Sequence, residues 1–292
     1  MCDEDTVIES NSYLAQESKM GRRDFNKLAV GAAAILMLPP VANALEVVGH
    51  DVMVNTPDGD ADCYFVHPAK GKHPGVIIWP DILGLRPAFR LMGERLAKSG
   101  YSVLVVNPYY RSARSPVIEP GASFQDAKTR NRVMPYYRAL SAETNVTDAK
   151  AYVAYLDAQN AVDVKRKIGT TGYCMGGPMV MRTAAALPER IGAGGSFHGS
   201  GLVTNDAESP HLLIKNMQAD LLIAVAANDD ERAPNDKEVL RKTAAKYGLK
   251  AEIEVYEGAM HGWCPPDSRV YHEKQAEQAW VRLLHTFENA LG

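Results

Sequence analysis

Three residue types that together perform nucleophilic acyl chemistry recur along this chain in a fixed order: Cys174, Asp229 and His261. Cys174 sits in Gly172-Tyr173-Cys174-Met175-Gly176-Gly177, a G-x-C-x-G pattern. The run 167–171 before it reads as a strand, and 178–186 after it reads as a helix. Strand, sharp glycine-flanked turn and helix form the context of a nucleophile elbow. Small neighbours relieve crowding around a strained residue, and the helix N-terminus favours negative charge on the sulfur. Asp229 ends Val225-Ala226-Ala227-Asn228-Asp229, and His261 follows the last strand in Gly258-Ala259-Met260-His261-Gly262. A histidine can take the thiol proton, and a carboxylate can fix its tautomer and support its charge. Asp230 competes with Asp229 for the carboxylate role. His198 also follows a strand and reads as pocket-lining or structural.

Acyl chemistry also needs two backbone N–H donors for the oxyanion. Met175, next to the nucleophile, offers one. Ile82, in the loop Pro80-Asp81-Ile82-Leu83-Gly84, offers the other. Asp81 places a second carboxylate near the thiol, with a turn-capping role as its alternative. His272-Glu273 lacks a second histidine one turn on and reads as helix surface. The cysteines show no zinc spacing, so no metal is expected.

These residues must be positioned by strands that end on one side of a sheet. Two alternating runs, 45–54 and 61–66, flank Pro57-Asp58-Gly59-Asp60 and predict a hairpin. Continuous apolar runs at 75–79, 101–106 and 221–226 predict strands buried on both faces. Further strands are expected at 191–197 and 251–256. Helices are expected at 87–99, 125–140, 144–160, 234–247 and 271–290, with residues 107–125 an irregular rim. The alternation predicts an α/β fold, a mainly parallel sheet with helices on both faces and ligands at the carboxyl ends of the strands.

With the nucleophile, acid and histidine in this order, the chain resembles the dienelactone hydrolase family, a cysteine branch of the α/β-hydrolase fold. The resemblance rests on Gly172–Gly177, Asp229, Gly258-Ala259-Met260-His261 and Pro80-Asp81-Ile82-Leu83-Gly84, and runs from about residue 47 to the end. It implies a carboxymethylenebutenolidase-like hydrolase of lactones or activated esters, without cofactor, working through an acyl-thioester on Cys174. It also implies that Asp81 stands where the family has a thiol-activating Glu, and that Arg130 corresponds to a family substrate-binding arginine. The stretch Gly262-Trp263-Cys264-Pro265-Pro266 departs from the family, whose arginine after the histidine is missing; the next is Arg269. A general carboxylesterase or peptidase-like hydrolase, and a catalytically silent periplasmic binding protein, are the alternative expectations.

The chain has 292 residues, a formal net charge of −3 and 23% charged residues. That balance gives no reason to expect nucleic acid as a partner. Residues 1–44 read as a leader and 45–292 as the hydrolase domain. Residues 1–20 are polar and are expected to be disordered. Gly21-Arg22-Arg23-Asp24-Phe25, a short apolar run and Ala42-Asn43-Ala44 resemble a twin-arginine signal peptide, in which Arg22 and Arg23 would meet the translocase. The expected location is the periplasm, with no stable membrane span after cleavage. Cys2, Cys63, Cys174 and Cys264 are the four cysteines. Removal of the leader leaves three, and Cys174 is expected to be unpaired.

Overall fold

The computed structural model describes residues 8–14 and 37–292. The twin-arginine pair Arg22-Arg23 and most of the apolar run after it lie outside the described residues. Eight strands form one sheet in the order β1-β2-β4-β3-β5-β6-β7-β8. The hairpin is β1 (Val47–Thr56) and β2 (Gly59–Pro68), and the register pairs Thr56 with Gly59. β2 joins β4 (Ser102–Val106) antiparallel. From β4 onward the sheet is parallel, through β3 (Gly75–Trp79), β5 (Ile168–Tyr173), β6 (Ile191–Phe197), β7 (Asp220–Ala226) and β8 (Ala251–Tyr256). Every residue of β3, β4, β5 and β6 is buried. This burial on both faces explains the unbroken apolar runs of β3 and β4.

Helices cover both faces. They are α2 (Pro87–Lys98), α3 (Ala127–Arg138), α4 (Ala142–Asp157), α5 (Gly176–Ala186), α6 (Ala227–Arg232), α7 (Asp236–Tyr247) and α8 (Glu273–Leu291). One core layer joins Trp79, Tyr152, Val180 and Ile223, and the other joins Phe89, Phe197, Leu283 and Phe287. Ser141 caps α4 a few residues ahead of the expected start at 144: its hydroxyl accepts from Thr144 N while the Thr144 hydroxyl accepts from Ser141 N, a reciprocal cap. The short α6 was not foreseen, and it puts Asp229 on a helical turn. The leader also departs from expectation. Residues 8–14 form a helix, α1, with Ser10 buried to 1%. The disordered reading fails there because α1 finds polar partners on the domain surface.

β5 lies between β3 and β6, so the elbow after it is crowded from three sides. A Cβ on Gly172 would lie 2.2 Å from the Gly176 carbonyl oxygen, and one on Gly176 would lie 2.4 Å from the Trp79 carbonyl oxygen. Glycine is required here by close backbone approach. Replacing Gly172 with Ala should therefore cost about 1–3 kcal/mol, the usual penalty for overpacking. Urea denaturation should show a lower midpoint at unchanged slope.

Candidate active site

Each residue with chemical potential leaves the carboxyl end of a strand. Cys174 follows β5, His198 follows β6, Asp229 follows β7, His261 follows β8 and Asp81-Ile82 follow β3. Cys174, His198, His261, Asp81 and Ile82 line one cavity. Residues 122–125 close one side of it, which places the end of the irregular rim at the site.

Cys174 has φ 54°, in the left-handed region that costs a non-glycine residue about 1–3 kcal/mol. Its backbone holds that shape through several bonds. Its N–H donates to the Phe197 carbonyl at 3.0 Å and to His198 Nδ1 at 3.1 Å. Its carbonyl accepts from Gly177 N at 3.0 Å. α5 begins two residues later, so its first turn faces the sulfur. The sulfur itself is disulfide-bonded, whereas Cys63 and Cys264 are free thiols. The expectation of an unpaired Cys174 concerns the chain without its first 44 residues, whereas the disulfide belongs to the full chain. Burial pushes the Cys63 and Cys264 thiols well up, so both are poor thiolates.

His261 is buried, and its Nδ1 lies 2.7 Å from Asp229 Oδ2. Asp230 points elsewhere: both of its oxygens accept from Lys237 Nζ, at 2.5 and 2.7 Å. The sequence did not foresee Asn228. Its Oδ1 accepts the His261 backbone N–H at 2.8 Å, so α6 fixes the histidine at both ring and backbone. Adjacency to Asp229 is the only local signal for it.

His198 is 1% exposed and lies edge-on to both His261 and Trp263. Burial, with the nearby His261 adding to it, pushes its pKa well below the ordinary histidine value. It is neutral, with Nδ1 accepting from Cys174 N and the proton on Nε2.

Met175 and Ile82 come together through Tyr109. The Tyr109 hydroxyl contacts the Ile82 carbonyl oxygen at 2.9 Å and Met175 Sδ at 3.1 Å. This phenol ties the loop after β3 to the elbow, and it was legible only as one tyrosine in a Tyr- and Arg-rich rim.

Asp81 is an ion-pair partner. Arg86 donates Nη1 to Oδ1 at 2.6 Å and Nη2 to Oδ2 at 2.9 Å, and Leu83 N donates to Oδ1. Arg86 also binds Asp267. Burial works against the guanidinium charge, but Asp81 and Asp267 outweigh it and hold its pKa above the ordinary arginine value. Arg130 does not line the cavity. Its guanidinium donates to the carbonyls of Phe124 and Gln125, so it shapes the rim from behind. The arginines on the cavity wall are Arg86 and Arg269, the latter paired with Asp126 at 3.1 Å. Among the described residues, no group of three His, Cys, Asp or Glu side chains is placed to hold a metal, and no helix is long and apolar enough to cross a membrane.

An eight-stranded, mostly parallel sheet with these residues at its carboxyl edge is an α/β-hydrolase fold. Residues 61–291 match the dienelactone hydrolase family, and the chain belongs to it. A Synechocystis sp. protein provisionally named a carboxymethylenebutenolidase is 29% identical over 233 residues, which cover 78% of this chain and 91% of that protein. Two solved structures share the fold. A dienelactone hydrolase from Anabaena variabilis aligns with TM-score 0.60 at 16% identity, over 84% of this chain and 99% of that one. The dienelactone hydrolase-like promiscuous phosphotriesterase P91, from metagenomic libraries, aligns with TM-score 0.68 at 20% identity, also over 84% and 99%. The chain is thus a hydrolase of the dienelactone hydrolase family.

The buried neutral His198 makes stability depend on pH. Its folded pKa is lowered, whereas in the unfolded chain it protonates near 6.5. The unfolded state then binds more protons as pH falls below 6.5, so this contribution is full above that pH and is lost below it. Thermal melts between pH 7 and 5 should show a steeper loss in Tm for the native chain than for His198→Asn.

Proposed function

We propose that the chain hydrolyses a lactone or activated ester through Cys174, His261 and Asp229, by way of an acyl-thioester. The observation that carries this reading is the 2.7 Å contact of His261 Nδ1 with Asp229, in a histidine that shares its cavity with an elbow cysteine. With Nδ1 protonated and held by the carboxylate, Nε2 is the basic nitrogen. The disulfide on Cys174 must first be reduced; a dithiol supplies the two electrons and two protons. His261 then takes the thiol proton, and the thiolate attacks the acyl carbon. The oxyanion collects at the N–H groups of Met175 and Ile82. Collapse breaks the acyl C–O bond, and the alkoxide or enolate leaves with the proton from His261. Water, deprotonated by His261, cleaves the thioester and releases the acid. Asp81 acts on this site as one half of the pair with Arg86.

A thiolate makes a thioester readily but expels poor leaving groups slowly, which suits strained lactones and stabilised leaving groups. A general carboxylesterase is the second reading. It draws support from the two arginines on the cavity wall, Arg86 and Arg269, each of which already has a carboxylate partner. A silent binding protein remains the contrasting outcome. The leader supports a further proposal: twin-arginine export to the periplasm through Arg22-Arg23, with cleavage after Ala44.

Turnover of an aryl ester and of dienelactone by dithiol-reduced protein tests the site. Cys174→Ala should lower kcat/KM by ~10³-fold or more. Asp229→Asn should lower it by about 10²–10⁴-fold, while Asp230→Asn should stay close to the native value. Equal rates for Cys174→Ala and the native chain would refute the mechanism.

A further inference from the structure

A second cavity, of about 550 Å³, opens beside α5 and shares neither Cys174 nor His261 with the candidate active site. That volume suits a small organic molecule. Leu140, Met179 and Val203 give it an apolar wall, and Arg138, Arg182 and Ser200 face it as well. Other arginines with buried or half-buried side chains have oxygen partners. Arg95 has Glu277, Arg111 has Asp148, Arg190 has Asp157, and Arg130 has the Phe124 and Gln125 carbonyls. Among the described residues, neither Arg138 nor Arg182 forms an ion pair. Burial pulls the Arg182 pKa below the ordinary arginine value, and the charge of Glu208 offsets only part of this. The Arg182 Nε and the Ser200 Oγ are both buried without a hydrogen-bond partner. A buried donor left unpaired destabilises the fold unless a bound group meets it. The acids on the same wall do not fill that role. Asp229 serves His261 and Arg232, Asp206 accepts from the Thr204 hydroxyl, and burial raises the pKa of the Asp236 carboxyl.

We propose that this cavity binds a small phosphate monoester, with the phosphate on Arg182, Ser200 and Arg138 and an apolar body against Leu140, Met179 and Val203. A phosphate monoester carries about −1.5 to −2 charge at pH 7 and three strong acceptor oxygens. Those match two unpaired guanidiniums and one hydroxyl. A carboxylate brings a single charge and leaves one guanidinium unmatched. The planar fork of Arg182 can give two parallel charge-assisted bonds to phosphate oxygens. The ligand is held and not hydrolysed, because neither the nucleophile nor the histidine reaches this wall. The site stands apart from the acyl chemistry and does not depend on the hydrolase reading.

Isothermal titration calorimetry of the full chain in phosphate-free buffer tests this, with phenyl phosphate as the probe and benzoate as the singly charged comparison. Phenyl phosphate should bind one to one, and benzoate about tenfold more weakly. Arg182→Gln should weaken phenyl phosphate about tenfold or more, and Ser200→Ala and Arg138→Gln should each weaken it severalfold. Arg241→Gln, which removes an exposed guanidinium outside the cavity, should leave the affinity unchanged. Arg182→Gln should melt no lower than the native chain, since it removes a half-buried charge that has no partner. Should that variant fail to fold, Ser200→Ala carries the measurement. Absence of binding to the native chain overturns the site, as does equal affinity in Arg182→Gln and Arg241→Gln. Benzoate binding as tightly as phenyl phosphate overturns the phosphate class. Release of phenol that is lost in Cys174→Ala would put the probe in the other cavity and overturn the site too.

Discussion

The close approach of three backbones at residues 172–176 governs the site. Gly172 packs against the Gly176 carbonyl, and Gly176 packs against the Trp79 carbonyl. Contact at this distance lets the chain reverse direction between β5 and α5 and leaves Cys174 at φ 54°. The strain is local, and it is held by bonds from neighbouring strand ends. Phe197 and His198 at the end of β6 accept the Cys174 N–H, and Tyr109 after β4 links the β3 loop to Met175. A central position for β5 is thus a condition of the chemistry, because only a central strand has both neighbours to supply these partners.

Charge around the cavity is matched in pairs. Asp81 and Asp267 neutralise Arg86, Asp126 meets Arg269, and Lys237 holds Asp230. With Asp230 held by Lys237, Asp229 is the carboxylate that meets His261. Pairing also changes the meaning of Asp81. The Asp81 carboxylate is anchored to a buried guanidinium, so any influence on the thiol operates through a fixed ion pair. A longer side chain at the same position would have a different reach.

Much of the fold was legible because its signals are local. Buried parallel strands must be apolar on both faces, so β3, β4 and β7 announced themselves, and glycines marked the elbow. The order of Cys174, Asp229 and His261 singled out candidates that the fold brings to one edge of the sheet. Asn228, Arg86 and Tyr109 were not legible, since each acts through a partner far away in sequence: His261, Asp267, and Ile82 with Met175. The helix at residues 8–14 was not legible for the same reason. Residues 8–14 have no core of their own, and their helix gains its partners, Asn228 and Arg232, from more than two hundred positions away.

What the sequence by itself determined is the β/α alternation, the elbow and the chemical roles available at strand ends, because hydrophobic period and glycine placement are properties of short segments. What only the tertiary structure decided is the choice among similar groups. Asp229, not Asp230, meets His261, because α6 turns one carboxylate inward and offers the other to Lys237. Arg130 supports the rim, while Arg232 meets the Glu9 carboxylate beside Asp229. Neighbouring residues of one type have nearly the same local propensities, and packing directions alone separate them.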